Sequence, residues 1–276
     1  MSSTVIRPSW QGFANLQYLV IFGDSYSDVG YNALLSNHPT VEDPLGVDFP
    51  GYGFVEPGAA NWVGHLITNY ANHKPLLVYD YAVGGDDVSG VRKQVQVRFL
   101  PRLGEKPDWA PWLGSNTLFI TWIGINDCGY ADDRTVSASI KQLFNEQEDL
   151  YKVGARNFLF IDVPPIHRTP IGLTLARTEQ RSSDIYELWN TELREAIIHF
   201  STAHSDVTTL LFSSWATFIR VLDDPMSHGF EVEDVVRNAG RIWVDHLHPT
   251  SRMHDWIARD LAEFLSAQPA YLENVD

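Results

Sequence analysis

Five runs of apolar, β-branched or aromatic residues constrain this chain more than any other feature. They cover residues 18–22, 76–83, 117–123, 158–163 and 207–212. The runs are nearly continuous rather than alternating. That pattern suits strands buried on both faces of a parallel sheet. Helical patterns lie between them. Trp62, Val63, Leu66, Ile67 and Tyr70 fall on one helical face. Residues 136–153 form a second candidate helix. Residues 179–200 form a third, with Ile185, Leu188 and Trp189 spaced for one stripe. A last helix spans about 254–265 and ends before Pro269. Strand and helix alternate, which predicts an α/β fold: a three-layer α/β/α sandwich around a central, mostly parallel sheet.

No low-complexity stretch, repeat or linker divides the chain, so a single domain over residues 1–276 is expected. Apolar residues make up 44% of the sequence, enough for a sizeable core and too many for a disordered chain. The formal net charge is −15. So acidic a chain is a poor partner for nucleic acid or for anionic lipid, so neither nucleic acid nor membrane is an expected partner. Cys128 is the sole cysteine, which excludes an internal disulfide and a cysteine-rich zinc site. The first residues lack a charged start followed by an apolar run, and no apolar stretch reaches membrane-spanning length. No Asn-x-Ser/Thr sequon occurs. The expectation is a cytoplasmic protein, the alternative a secreted one whose signal has been removed. One segment, 31–60, is Pro/Gly-rich and without periodicity. It follows the first strand, which puts it at the carboxyl edge of the sheet, where open α/β sheets bind ligands.

Four short blocks carry chemistry. The first strand ends in Phe22-Gly23-Asp24-Ser25-Tyr26-Ser27-Asp28. Ser25 stands just past a buried strand, where glycine permits a tight turn and backbone N–H groups can face a developing oxyanion. The plainer reading is that Ser25 or Ser27 caps a helix. The second strand ends in Tyr81-Ala82-Val83-Gly84-Gly85, whose paired glycines admit a ligand to the backbone or simply make a turn. The third run leads to Gly124-Ile125-Asn126-Asp127, where Asn126 can donate its amide to an oxyanion or serve a turn. Near the C-terminus stands Asp245-His246-Leu247-His248-Pro249. An Asp and a His three residues apart can touch, which fixes the imidazole tautomer and leaves the other nitrogen for a serine hydroxyl. His246 and His248 can also be read as a metal pair. No third and fourth ligand has matching spacing, so no metal and no cofactor is expected. The first three blocks follow predicted parallel strands and converge at one edge. Together the four provide a nucleophile, a base, its orienting acid and oxyanion donors, the set that acyl transfer needs.

On Gly23-Asp24-Ser25, Gly85, Gly124-x-Asn126-Asp127 and Asp245-x-x-His248, the chain resembles the GDSL, or SGNH, hydrolases over about residues 18 to 250. The resemblance implies a flavodoxin-like sandwich and a serine esterase. It implies Ser25 as nucleophile, His248 as base and Asp245 as its partner. The oxyanion hole would be the Ser25 and Gly85 amides and the Asn126 side chain. The fourth letter of the GDSL block is Tyr26 here, which removes no catalytic group. A narrower resemblance rests on Trp10-x-Gly12-Phe13, Phe22-Gly23-Asp24-Ser25-Tyr26, Asp43-Pro44-Leu45-Gly46, Phe49-Pro50-Gly51-Tyr52, Asn61-Trp62-Val63 and Trp122-Ile123-Gly124-Ile125-Asn126-Asp127. On these the chain is similar to the fungal acetylesterases of carbohydrate esterase family 16. That likeness implies removal of acetyl groups from hemicellulose-derived oligosaccharides and small acetyl esters, so the expected partner is a small-molecule or oligosaccharide ester.

Trp122 and Trp62 are the tryptophans expected to contact a sugar, Trp10 and Trp189 to be structural. His38 is read as a solvated loop residue, His167 as a turn residue, Cys128 as a buried filler. Asp86 and Asp87 are placed to cap the next helix. Two other functions compete. A GDSL-type lipase or phospholipase would need an apolar acyl channel. A non-catalytic carbohydrate-binding protein on the same scaffold would be expected to have lost one of Ser25, Asn126, Asp245 or His248.

Overall fold

All six residues of the first apolar run and its terminal glycine, Tyr18–Gly23, are buried, and so are all six of Thr117–Trp122. Such strands have no solvent face to offer, so both of their faces must be covered by helices. The computed structural model meets this demand with six strands and helices in two flanking layers; it describes residues 3–71, 74–129, 133–177 and 184–272. The strands are β1 (Ser3–Val5), β2 (Tyr18–Gly23), β3 (Leu77–Asp80), β4 (Thr117–Trp122), β5 (Asn157–Ile161) and β6 (Thr208–Phe212). Their order across the sheet is β1-β6-β5-β4-β2-β3. The five predicted strands are mutually parallel where they pair, and β1 joins β6 antiparallel. β1 is the strand that the apolar pattern missed. Three residues on a sheet edge bury too little to leave a periodic signature.

The helices are α1 (Trp62–His65), α2 (Val88–Lys93), α3 (Ile125–Cys128), α4 (Asp133–Lys152), α5 (Pro170–Arg177), α6 (Asp184–Ala203), α7 (Ser214–Asp223) and α8 (Ser251–Ser266). α1 and α2 each run on into a π-helical turn, Leu66–Tyr70 and Gln94–Phe99. α4 packs against both α2 and α6, and α8 packs on α1 and α7. α8 shows why such a helix forms. Met253, Ile257, Leu261 and Leu265 recur every fourth residue and are all buried, and the Thr250 hydroxyl accepts the Met253 amide as an N-cap. The predicted helix at 179–200 is observed as α6, and its first residues, 179–183, lie outside the described ones.

Register aligns the strand ends. Gly23 stands opposite Trp122, Trp122 opposite Ile161, and Ile161 opposite Phe212. The turns that leave β2 and β4 therefore emerge side by side, and β3 flanks β2 on its other side.

Candidate active site

The turn after β2 is held from several sides. The Gln94 side chain accepts the Gly23 amide at 3.0 Å and donates to the Gly23 carbonyl at 2.8 Å. Residue 23 must be glycine, since a Cβ there would stand 2.6 Å from the Trp122 carbonyl oxygen. The Asp24 carbonyl accepts the amides of Ser27 and Asp28, each at 3.0 Å, and Asp24 Oδ1 accepts that of Tyr26 at 3.0 Å. The Ser25 amide makes no hydrogen bond among the described residues.

The loop that carries Asp245 and His248 closes on itself. The Val244 amide donates to the His248 carbonyl at 2.9 Å, and Trp243 bridges Pro249. One Asp245 oxygen, Oδ1, accepts the amides of Leu247 and His248, both at 2.7 Å. The other, Oδ2, meets His248 Nδ1 at 2.7 Å. His248 Nε2 lies 2.9 Å from Ser25 Oγ. The three side chains thus form one chain of hydrogen bonds across 223 residues of sequence. Burial pushes the Asp245 carboxyl up, but the His248 amide and ring and the Leu247 amide outweigh it and hold the group below the usual carboxylate range. Asp245 is therefore an anion at neutral pH, able to orient the ring.

The turn after β3 supplies Gly84 and Gly85. Asp28 fixes it: one carboxylate oxygen accepts the Gly84 amide at 2.8 Å and the other the Gly30 amide at 2.7 Å. Gly85 has φ +83°, and its amide makes no hydrogen bond among the described residues. Asn126, on α3, donates one amide hydrogen to the Asp86 carbonyl at 2.8 Å, which ties the β4 turn to the β3 turn. The backbone amides of Ser25 and Gly85 and the second Asn126 hydrogen stay available on this edge. Asp87 caps α2 by accepting the Gly90 amide at 3.0 Å.

The segment 31–60 does reach the site. Its Phe54 ring stacks on His248, with centroids 4.9 Å apart and planes 28° apart. No local pattern marks Phe54 in the sequence. Tyr26, the departure from the GDSL block, is also used: its hydroxyl donates to the Leu247 carbonyl at 2.8 Å. Two expectations fail. Trp62 and Trp122 are both fully buried and cannot stack on a sugar. The Trp62 indole donates to Ser27 Oγ at 3.2 Å, and the Trp122 indole to the Asp162 carbonyl at 3.1 Å. Both rings pack in the core beneath the site, edge-on to each other. His167 packs beside Trp215 and Tyr186 rather than beside the three aligned groups. His38 stacks on Trp109. Cys128 is buried. Among the described residues no group of three His, Cys, Asp or Glu side chains is arranged to hold a metal ion.

A second Ser-His-Asp contact lies at the start of α8. His65 Nε2 stands 2.9 Å from Ser251 Oγ and its Nδ1 3.4 Å from Asp255. Here, however, the Ser251 hydroxyl donates to the Ala60 carbonyl at 2.6 Å and the Ser251 amide to Glu56 at 2.8 Å. Its proton and its amide are both engaged, so this contact ties the 31–60 segment to α8 and offers no nucleophile.

The chain is similar to known proteins in family and fold. The family model described as GDSL-like lipase/acylhydrolase matches residues 19–261. An acetylesterase of Thermothelomyces thermophilus is 29% identical over 279 residues, covering 93% of this chain and 91% of that protein. An acetylesterase of Hypocrea jecorina is 21% identical over 98% of both chains. Among solved structures, a variant of Axe2, an acetyl xylan esterase from Geobacillus stearothermophilus, aligns with a TM-score of 0.55 at 14% identity, covering 93% of this chain and 96% of that one. At that identity the likeness is one of fold.

Proposed function

The chain belongs to the GDSL-like lipase/acylhydrolase family and is a carboxylic ester hydrolase; from that premise we propose that it is a serine acetylesterase acting on acetylated carbohydrates and small acetyl esters. The observation that carries the reading is the alignment of Ser25, His248 and Asp245, with contacts of 2.9 and 2.7 Å. The acetyl assignment draws support from the two curated relatives, both acetylesterases. The carbohydrate assignment draws support from the sequence resemblance described above.

An alcohol is a weak nucleophile at neutral pH. His248 Nε2 takes the Ser25 proton as Oγ attacks the ester carbonyl, and Asp245 stabilises the imidazolium that forms. The carbonyl oxygen gains negative charge and accepts hydrogen bonds donated by the Ser25 and Gly85 amides and the Asn126 side chain. These donors act more strongly on the tetrahedral oxyanion than on the neutral carbonyl, which is what lowers the barrier. The intermediate collapses, the alcohol leaves with the proton from His248, and the acetyl group stays on Ser25. Water then gives its proton to His248 and attacks the acyl-enzyme. Acetate departs, and the proton returns to Ser25.

Hydrolysis of p-nitrophenyl esters from acetate to palmitate, beside Ser25→Ala, tests this. The reading expects a preference for acetate that vanishes in the variant, followed by deacetylation of acetylated xylo-oligosaccharides. Ser25-dependent preference for long chains would point to a lipase instead.

A further inference from the structure

We propose that Phe54 is a specificity-determining residue, the wall that limits the acyl group beside Ser25 to a short chain. The inference rests on the esterase reading above and deepens it. Two contacts place the ring. Its face lies on the His248 imidazole at 4.9 Å. Its far edge lies against Gly84, where a Cβ would run into the ring. Phe54 therefore bridges the base and the turn that presents the Gly85 amide. Asn126 ties into the same turn by donating to the Asp86 carbonyl.

A bound ester has its carbonyl oxygen at Gly85 and Asn126 and its leaving oxygen at His248 Nε2. Two substituents remain to be housed. The alcohol is the larger of the two in an acetylated carbohydrate. The acyl group is the smaller, and the flank on which Phe54 spans His248 and Gly84 is the one assigned to it. Each methylene added there would meet a ring that has no room to move toward Gly84.

The wall is also held still. Glu56, two residues on, accepts the Ser251 amide at 2.8 Å. Two residues earlier, the Tyr52 amide donates to the Val29 carbonyl at 2.9 Å. Asn61 ends the segment by donating to the Ser27 and Asp28 carbonyls at 2.9 and 3.1 Å. A ring anchored on both sides discriminates by size, because it cannot yield to a longer chain. Phe54 is 38% exposed, so a ligand can reach it and its loss leaves no closed cavity in the core.

The test measures kcat/KM for p-nitrophenyl acetate, butyrate and hexanoate in the wild type, Phe54→Ala and Phe54→Trp. The acetate-to-hexanoate ratio should fall by about tenfold or more in Phe54→Ala, as expected for relief of a few methylene clashes. In Phe54→Trp butyrate activity should fall further than acetate activity. A wild type that favours acetate, with the ratio unchanged in both variants, overturns the role of Phe54 and leaves the acetylesterase reading standing. A uniform loss on all three esters also overturns it, since the ring would then only support His248. A changed preference between 1-naphthyl and methyl acetate, with acyl preference intact, overturns it by placing Phe54 on the alcohol side. A wild type that favours hexanoate overturns both readings.

Discussion

The Tyr26 hydroxyl donates to the carbonyl oxygen of Leu247 at 2.8 Å, so the residue after Ser25 holds the residue before His248. This bond spans the turn after β2 and the loop before α8. The ring is fully buried against Trp122, Phe218 and His254. Tyr26→Phe keeps the packing and removes one hydrogen bond, worth about 1 kcal/mol. It should lower kcat several-fold with little change in KM and lower the melting temperature slightly. Steady-state kinetics and a thermal melt check this. An unchanged kcat would show that the loop needs no such tie.

Asp245 both builds its loop and orients the ring. Asp245→Asn retains an oxygen for the Leu247 and His248 amides but replaces the acceptor that holds the His248 tautomer. It should lower kcat by about 10³- to 10⁴-fold while the fold persists. Asp245→Ala should lose the activity and also destabilise the loop. The comparison is read from p-nitrophenyl acetate turnover and circular dichroism.

The donors proposed for the oxyanion separate by kind. Asn126→Ala removes a side-chain donor and should cost about 10²- to 10³-fold in kcat, with KM nearly unchanged. Gly85→Ala meets no steric obstacle, since nothing lies within 4 Å of a Cβ there. Its φ of +83° is nevertheless strained for alanine, at about 1–3 kcal/mol. That variant should turn the amide away and lose activity without any clash.

Asp24 makes stability depend on pH. Burial pushes its carboxyl from an ordinary 3.8 up to about 7, against the pull of the Tyr26 amide and with added repulsion from Asp127, Asp86 and Asp28. The folded state thus retains a proton that the unfolded state has released. Stability therefore falls as pH rises through that window, by at most about 1.4 kcal/mol per pH unit, and levels off above it. Asp24→Asn keeps an acceptor for the Tyr26 amide and removes the titration. Urea unfolding at pH 4, 5, 6 and 7 should show the variant gaining on the wild type as pH rises. Parallel curves would refute the account of Asp24.

The sheet was legible because strands buried on both faces leave continuous apolar runs, and all five runs became strands. The site blocks were legible because each stands just past a strand end or in a short closed loop, where local sequence sets local geometry. Segment 31–60 was legible in its place but not in its content. Phe54 is carried to His248 by its neighbours Tyr52, Glu56 and Asn61, whose hydrogen bonds go to Val29, Ser251, Ser27 and Asp28, far off in sequence. The tryptophans failed for a different reason. Trp62 stands in an apolar helical stripe and Trp122 in a strand buried on both faces, so the pattern that marks the core already turns both inward. Tyr26 read as a harmless departure because its partner, Leu247, is 221 residues away.

The central claim is that Ser25 is the nucleophile and His248 its base. The most direct test is treatment with a fluorophosphonate followed by peptide mapping by mass spectrometry. The account predicts one adduct, on Ser25, formed slowly or not at all in His248→Ala. An adduct on Ser251, or rapid labelling of Ser25 without His248, would contradict it.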